Sequence, residues 1–424
     1  MLTLARAADR SLLALLPLLM LALMTSITAV GVLTALLALA GLARLGDPAL
    51  RARQRVPLAA PLAAFVAATL ASVAAAPDPL DALYQSKHLL SLILFLAAVN
   101  GFRSGDAIRR ALAWFTGAVV LASCWALAQT WVCTTAVDVP GWLTWALKVR
   151  LERCRQPSIE PFRAKGFFSI YMTLGGSLVV ALALHFAALA LGTRRHAWKL
   201  APPAGLAFVA LGLTYVRNAW LGLGAALGTL VLLSRRVSLI LPLALGVTLA
   251  LVLPTPLRGK LLTIVDLASP SATERLYFWG SGLRMVEDAP LLGLGPGGVR
   301  RSYPAYKHPD ARRPGTSHLH NNLVQIAAER GLLGLAAWLW IWVAFVLRAS
   351  RIYGALPPAR ADDRALVAGS LAAVVGFLTA GLFEYNFGDS EVVSLVWVVM
   401  AFPFVVAGGA GELPFGGAAK TLAP

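Results

Sequence analysis

Charge is scarce in this chain of 424 residues: Asp, Glu, Lys and Arg make up 13% of it, against 58% hydrophobic residues. That excludes a water-soluble domain of ordinary composition, in which about a quarter of residues are charged. Cysteine is nearly missing, with Cys124, Cys133 and Cys154 alone and no spacing that resembles a Cys metal motif. Acidic residues are fewer than basic ones, 20 Asp and Glu against 37 Lys and Arg. There is no repeat of fixed period and no low-complexity tract. No small-residue cleavage site follows the first apolar run, so that run reads as a retained span rather than a removed signal peptide.

What is present is a series of apolar runs, each near the roughly 20 residues needed to cross a bilayer core of about 30 Å. Twelve are expected: Ser11–Ser26, Ile27–Ala43, Val56–Ala76, Leu83–Val99, Ile108–Trp131, Phe168–Gly192, Ala197–Val216, Asn218–Leu233, Val237–Leu253, Leu332–Leu347, Ala365–Phe383 and Val392–Gly408. The polar "TSIT" at Thr25–Thr28 marks the turn between the first two; one tilted span over Ser11–Ala43 would reverse every later orientation. Cytoplasmic loops concentrate Lys and Arg. Arg44–Arg55, Arg103–Arg110, Arg194–Lys199, Arg235–Arg236 and Arg348–Arg364 each carry at least two basic residues, whereas Ala76–Asp81, Val216–Ala219 and Phe383–Glu391 are acidic or nearly free of them. The alternation places both termini in the cytoplasm. The fold expected is an all-α polytopic membrane protein, one integral domain over residues 1–424.

Two long segments on the outer side break the pattern, residues 132–166 and 254–331, and both are basic. Long translocated segments escape the charge rule. Their basic residues suit adhesion to anionic membrane lipids or, through arginine forks, binding of a phosphate or diphosphate. Nucleic acid is not an expected partner. Arg217 sits in a short connection between two apolar runs, where it must snorkel or face a polar cavity. Arg275 follows Pro270 and a Ser271–Glu274 capping-box pattern that predicts a helix start. Leu276, Trp279, Leu283 and Val286 then form an apolar stripe, which predicts a helix at the membrane surface. "GLGPGG", Gly293–Gly298, reads as a flexible turn or as a nest of backbone N–H groups for an anion. Cys133 and Cys154 share the outer compartment and are able to close a disulfide there.

The most polar stretch is "TSHLHNNLVQIAAERGLLGL", Thr316–Leu335. Ser317 is the expected N-cap of a helix from His318 to Arg330, with Asn321, Gln325 and Glu329 as a polar stripe. Gly331 either ends that helix or lies within a longer one. His320 is thereby held near the membrane surface, where a neutral imidazole serves as a general base; a structural histidine is the alternative. His318 is the rival base. Lys87, at the outer end of the fourth run, snorkels or touches a lipid phosphate. Glu384, Asp389 and Glu391 cluster in one outer loop, able to anchor basic loops, to hold an acceptor or, in principle, to bind a hard cation. Mid-span positions are mostly aliphatic, His185 being one of few exceptions, which argues against a transporter or flippase.

At His320 and Asn321, followed by nine residues and then Gly331-Leu-Leu-Gly334, the chain resembles the O-antigen ligase and polymerase superfamily, whose pattern is His-Asn-x9-Gly-x-x-Gly. The resemblance extends to the layout of about twelve spans, a large external loop before the tenth, and an arginine between the seventh and eighth. It implies a GT-C-like glycosyltransferase in the bacterial inner membrane, working on the periplasmic face without metal or cofactor. Its donor would be O-antigen on undecaprenyl diphosphate and its acceptor the lipid A–core of lipopolysaccharide. The resemblance assigns catalysis to His320 and the carrier diphosphate to Arg217 and Arg275, with Asn321, His318, Lys87 and Glu384 as secondary candidates. O-antigen polymerases and protein oligosaccharyltransferases share the motif and remain the nearest alternatives.

The orientation is tested by thiol labelling in intact cells: Asp78→Cys is expected to react with a membrane-impermeant maleimide, and Arg51→Cys only after permeabilisation.

Overall fold

The computed structural model describes residues 2–135, 140–149, 162–252, 258–259 and 269–409. Among them there is no strand. The helices are α1 (Leu2–Ala22), α2 (Ile27–Arg44), α3 (Pro48–Ala52), α4 (Ala59–Ala75), α5 (Pro79–Gln85), α6 (Leu92–Gly101), α7 (Gly105–Thr135), α8 (Gly141–Ala146), α9 (Tyr171–Leu191), α10 (Arg194–Leu213), α11 (Arg217–Ser234), α12 (Leu241–Val252), α13 (Pro270–Asp288), α14 (Gly298–Tyr306), α15 (Asn322–Ala355), α16 (Ala361–Ala380), α17 (Ser390–Met400) and α18 (Phe402–Gly409). Every apolar run counted in the sequence falls on a helical stretch.

Seven of those stretches are long and apolar enough to cross a membrane by length and composition, against twelve runs expected. The shortfall has physical reasons. The start of α1 carries Arg6, Asp9 and Arg10, α4 is only 17 residues long, and α11 opens on Arg217 and Asn218. The class is nonetheless an all-helical, polytopic membrane protein.

The bundle packs around α9, α16 and α17, which are buried along most of their lengths. Close approach of α11 to α16 relies on glycine: a Cβ at Gly222 would lie 2.7 Å from the Gly376 carbonyl oxygen, and one at Gly376 would lie 2.9 Å from that of Gly222. Small residues at helix crossings are the usual solution in lipid, where packing rather than water drives association. Trp342 stacks on Trp397 with centroids 5.6 Å apart, and Phe387 meets Trp338 edge-on at 5.7 Å. These rings fill the space beneath one end of the bundle.

The two ends differ in chemistry. At one, Arg44 pairs with Asp9 at 2.8 Å, Arg109 with Asp363 at 3.0 Å, and Arg55 donates to the Val99 carbonyl at 2.9 Å. These are residues of the basic loops predicted to be cytoplasmic. The other end gathers the start of α9, α11, α15 and α17 with the termini of α4 and α16, and carries His88, His318 and His320.

Helix α15 is broken once. Gly331 has φ 65° and ψ −175°, and the segment before α14 lies across the break, with Leu332 N–H donating to the Pro290 carbonyl (2.7 Å) and Leu294 N–H to that of Ala328 (2.9 Å). A Cβ on Gly331 would collide with the Leu291 carbonyl, and one on Gly293 would meet the Glu329–Arg330 backbone. The Gly-x-x-Gly spacing thus has a structural cause: Gly331 supplies the left-handed kink, and Gly334 makes room for the Arg330 side chain.

Gly331→Ala is expected to cost about 3 kcal/mol or more, because strained backbone adds to a backbone collision; thermal unfolding of the purified protein measures it.

Candidate active site

Helix α15 does not begin where the sequence suggested. Its first residue is Asn322 and its N-cap is Asn321, whose Oδ1 accepts from Leu323 N–H (2.8 Å) and Val324 N–H (3.2 Å). Ser317 caps nothing there. A helix from His318 fails because His320 adopts φ 52°, a left-handed conformation uncommon for a side-chain-bearing residue. Two amides hold it so: Gln325 Oε1 accepts from Leu319 N–H (2.8 Å), and Asn321 Nδ2 donates to the Leu382 carbonyl (2.9 Å). The Gln325 and Glu329 stripe faces the protein interior, not water.

The strained backbone brings the His320 ring to a carboxylate. Its Nδ1 lies 2.9 Å from Glu384 Oε2 and 3.0 Å from Oε1, and its face stacks on Phe278 with centroids 5.6 Å apart. An ionised carboxylate only accepts, so Nδ1 carries a proton, and in the neutral ring Nε2 then holds the lone pair. Burial alone would raise the Glu384 carboxyl, but the His320 bond, with the charges of His320, His318 and Arg275, carries it net below the ordinary value. Glu384 follows α16, and two asparagines fix that loop. Asn322 Nδ2 donates to Asn386 Oδ1 (2.7 Å), Phe387 N–H to Asn322 Oδ1 (3.1 Å), and Asn386 Nδ2 to the Phe377 carbonyl (2.8 Å).

His318 stands beside this pair, its ring 4.2 Å from that of His320 and its Nδ1 3.6 Å from Glu384, too long for a hydrogen bond. Burial, then the neighbouring His320 charge, pushes it down to about 4. The nitrogens of both histidines and a Glu384 oxygen lie within 4.8 Å of one another, so among the described residues these three form a group able to hold a cation.

Arg275 belongs to the same group. It lies partly buried on α13, and desolvation, weighed against the Glu384 charge and added to the Arg217 and Arg163 charges, lowers it from its ordinary value. Arg217, at the start of α11, donates to Ser271 Oγ of α13 (2.8 Å). The predicted helix there exists, but its capping box does not. Ser269 is the N-cap, and the Glu274 carboxylate accepts from Arg312 N–H (3.1 Å) and Arg313 N–H (3.0 Å) instead. Phe278 and Met285 bury the inner face, leaving Leu276 and Leu283 of the predicted stripe exposed.

Other candidates fall elsewhere. Lys87 is exposed over the Tyr84 ring at 4.1 Å, and its neighbour His88 points inward to Ser390 at 3.3 Å. His185 is a satisfied core histidine, bonded to the Ala181 carbonyl (2.7 Å) and Thr116 (3.2 Å). "GLGPGG" is neither a free turn nor an open nest, since Gly297 N–H donates to the buried Glu329 carboxylate at 2.9 Å. Cys133 is disulfide-bonded, and its expected partner Cys154 lies outside the described residues. Sequence reasoning passed over Phe278 and Asn386 and read Arg330 only as the end of a helix; Asn386, in the polar run "FEYNFGDSE", and Arg330, in Thr316–Leu335, carried a signal.

Residues 202–339 match the family model described as O-antigen ligase, which supports placing the chain in the O-antigen ligase superfamily. The matched span holds Arg217, Arg275 and the whole His320–Gly334 motif. No curated protein matches the chain.

His318 gives a pH prediction. Its folded pKa of about 4 lies below the unfolded value near 6.5, so the unfolded chain binds more protons between those limits and stability rises with pH across that window. The thermal midpoint of wild type, minus that of His318→Gln, is expected to rise from pH 4 to 6.5 and then level off.

Proposed function

We propose that the chain is an O-antigen ligase, transferring glycan from undecaprenyl diphosphate to the lipid A–core of lipopolysaccharide on the periplasmic face of the inner membrane. The observation that carries this reading is the His320 Nδ1–Glu384 bond at 2.9 Å beside a group of arginines.

The acceptor hydroxyl oxygen attacks the anomeric carbon, and Nε2 of His320 takes its proton as the new C–O bond forms. The bond from the anomeric carbon to the carrier's diphosphate oxygen breaks on the opposite face, so the configuration inverts and no covalent sugar–enzyme intermediate is needed. Arg217 and Arg275, permanently charged and fork-shaped, stabilise the departing diphosphate. Glu384 stabilises the imidazolium while it exists. Arginine supplies the positive charge the leaving group requires, which supports turnover without a metal. The gathering of these groups at one end of the bundle, with a mostly aliphatic interior, supports surface chemistry over transport.

The reading is tested with purified protein, lipid-linked glycan and lipid A–core in chelator. His320→Ala is expected to lose about 10²–10⁴-fold in rate, the usual share of a general base, and Arg217→Ala and Arg275→Ala about 10²–10³-fold each, as for other transition-state charge donors. Full ligation by His320→Ala would overturn the assignment, and growth of glycan on the carrier itself would mark a polymerase.

A further inference from the structure

A cavity of about 410 Å³ adjoins the His318 and Glu384 side chains, within the size range of small-ligand pockets. Its wall contains four carboxylates, Glu329, Glu384, Asp389 and Glu391, and two arginines, Arg300 and Arg330, whereas Arg217, Arg275 and Arg163 are not part of it. A neutral, hydroxyl-rich ligand would find acceptors here for its O–H groups. It would also find a donor: Arg330 lines the cavity with its side chain only 4% exposed, its Nη1 held by Glu329 at 3.2 Å, and its Nε without a hydrogen-bond partner. Such an unmatched buried donor calls for a partner.

Asp389 is fixed in place. Its Oδ2 accepts from Thr173 Oγ1 at 2.6 Å, and its Oδ1 accepts from Glu391 N–H (3.2 Å) and Val392 N–H (3.3 Å) as the cap of α17. Burial, opposed by the Thr173 bond and reinforced by the Glu391 charge, pushes its carboxyl up to about 7, so near neutrality it is able to donate as well as accept.

We infer that this cavity seats the sugar of the acceptor, its hydroxyls held by Asp389, Glu391 and Arg330, while the donor's diphosphate stays with Arg217 and Arg275. Glu384, which lines the cavity and holds His320 Nδ1, links this seat to the proposed base. The order of events rests on the ligase reading; the binding of a neutral sugar does not.

The test measures transfer by the purified protein with Glu391→Gln and Asp389→Asn, both nearly isosteric, the first leaving the α17 cap intact. The KM for lipid A–core is expected to rise about tenfold in each, the usual consequence of one lost hydrogen bond to a charged group, with the KM for lipid-linked glycan unchanged. An unchanged acceptor KM, or an equal rise for both substrates, overturns the inference. Absence of transfer to lipid A–core by the wild type would sink the ligase reading alone. The cavity is then tested by binding of dephosphorylated, delipidated core oligosaccharide, which must weaken about tenfold in Glu391→Gln; equal binding, or none by the wild type, overturns the inference.

Discussion

A buried carboxylate facing an imidazole across 2.9 Å is the interaction on which the rest of this structure is arranged. Glu384 has one carboxylate for two neighbouring histidines and an arginine, and only His320 reaches it with hydrogen-bond geometry. To make that contact His320 accepts a left-handed backbone, a strain of about 1–3 kcal/mol in general. The surroundings hold it there from both sides. Asn321 and Gln325 pin the residues beside His320, and Asn322 with Asn386 pins the loop that delivers Glu384. Four amide side chains in one short region do the positioning that a regular helix start could not.

The charge distribution fits a protein whose two ends meet different solvents. Arginines at the basic end are neutralised by Asp9 and Asp363 or by helix-terminal carbonyls. At the other end the positive groups Arg217 and Arg275 stand near one another, and the Glu384 charge acts on Arg275. A cluster of like charges is unfavourable in isolation, and an anionic ligand relieves it.

Much of the fold was legible because the strongest signals, apolar length and the alternation of basic loops, act over whole segments. Residue type offered Gly331 as a helix break, whereas the roles assigned to Arg217, Arg275 and His320 came only as what the family resemblance implies. What sequence could not show was which amide reaches which backbone group. Ser317 and the Ser271–Glu274 pair look like caps, yet Asn321 and Ser269 occupy those positions, since a side chain's local option loses when a tertiary partner is better. Glu384 is 64 residues from His320, and nothing in periodicity links the two. His88 rather than Lys87 faces inward because Ser86–Ser91 winds as a tighter 3₁₀ turn, which shifts the faces expected of an α-helix.

The strapping of residues 290–294 across the break in α15 uses backbone atoms on both sides. Contacts made this way are indifferent to side-chain identity, so Leu291, which is 63% exposed, is free to drift in sequence while Gly293 and Gly331 are not. Across related chains this joint would therefore present itself as isolated invariant glycines amid variable neighbours, a geometric signature without any chemical one.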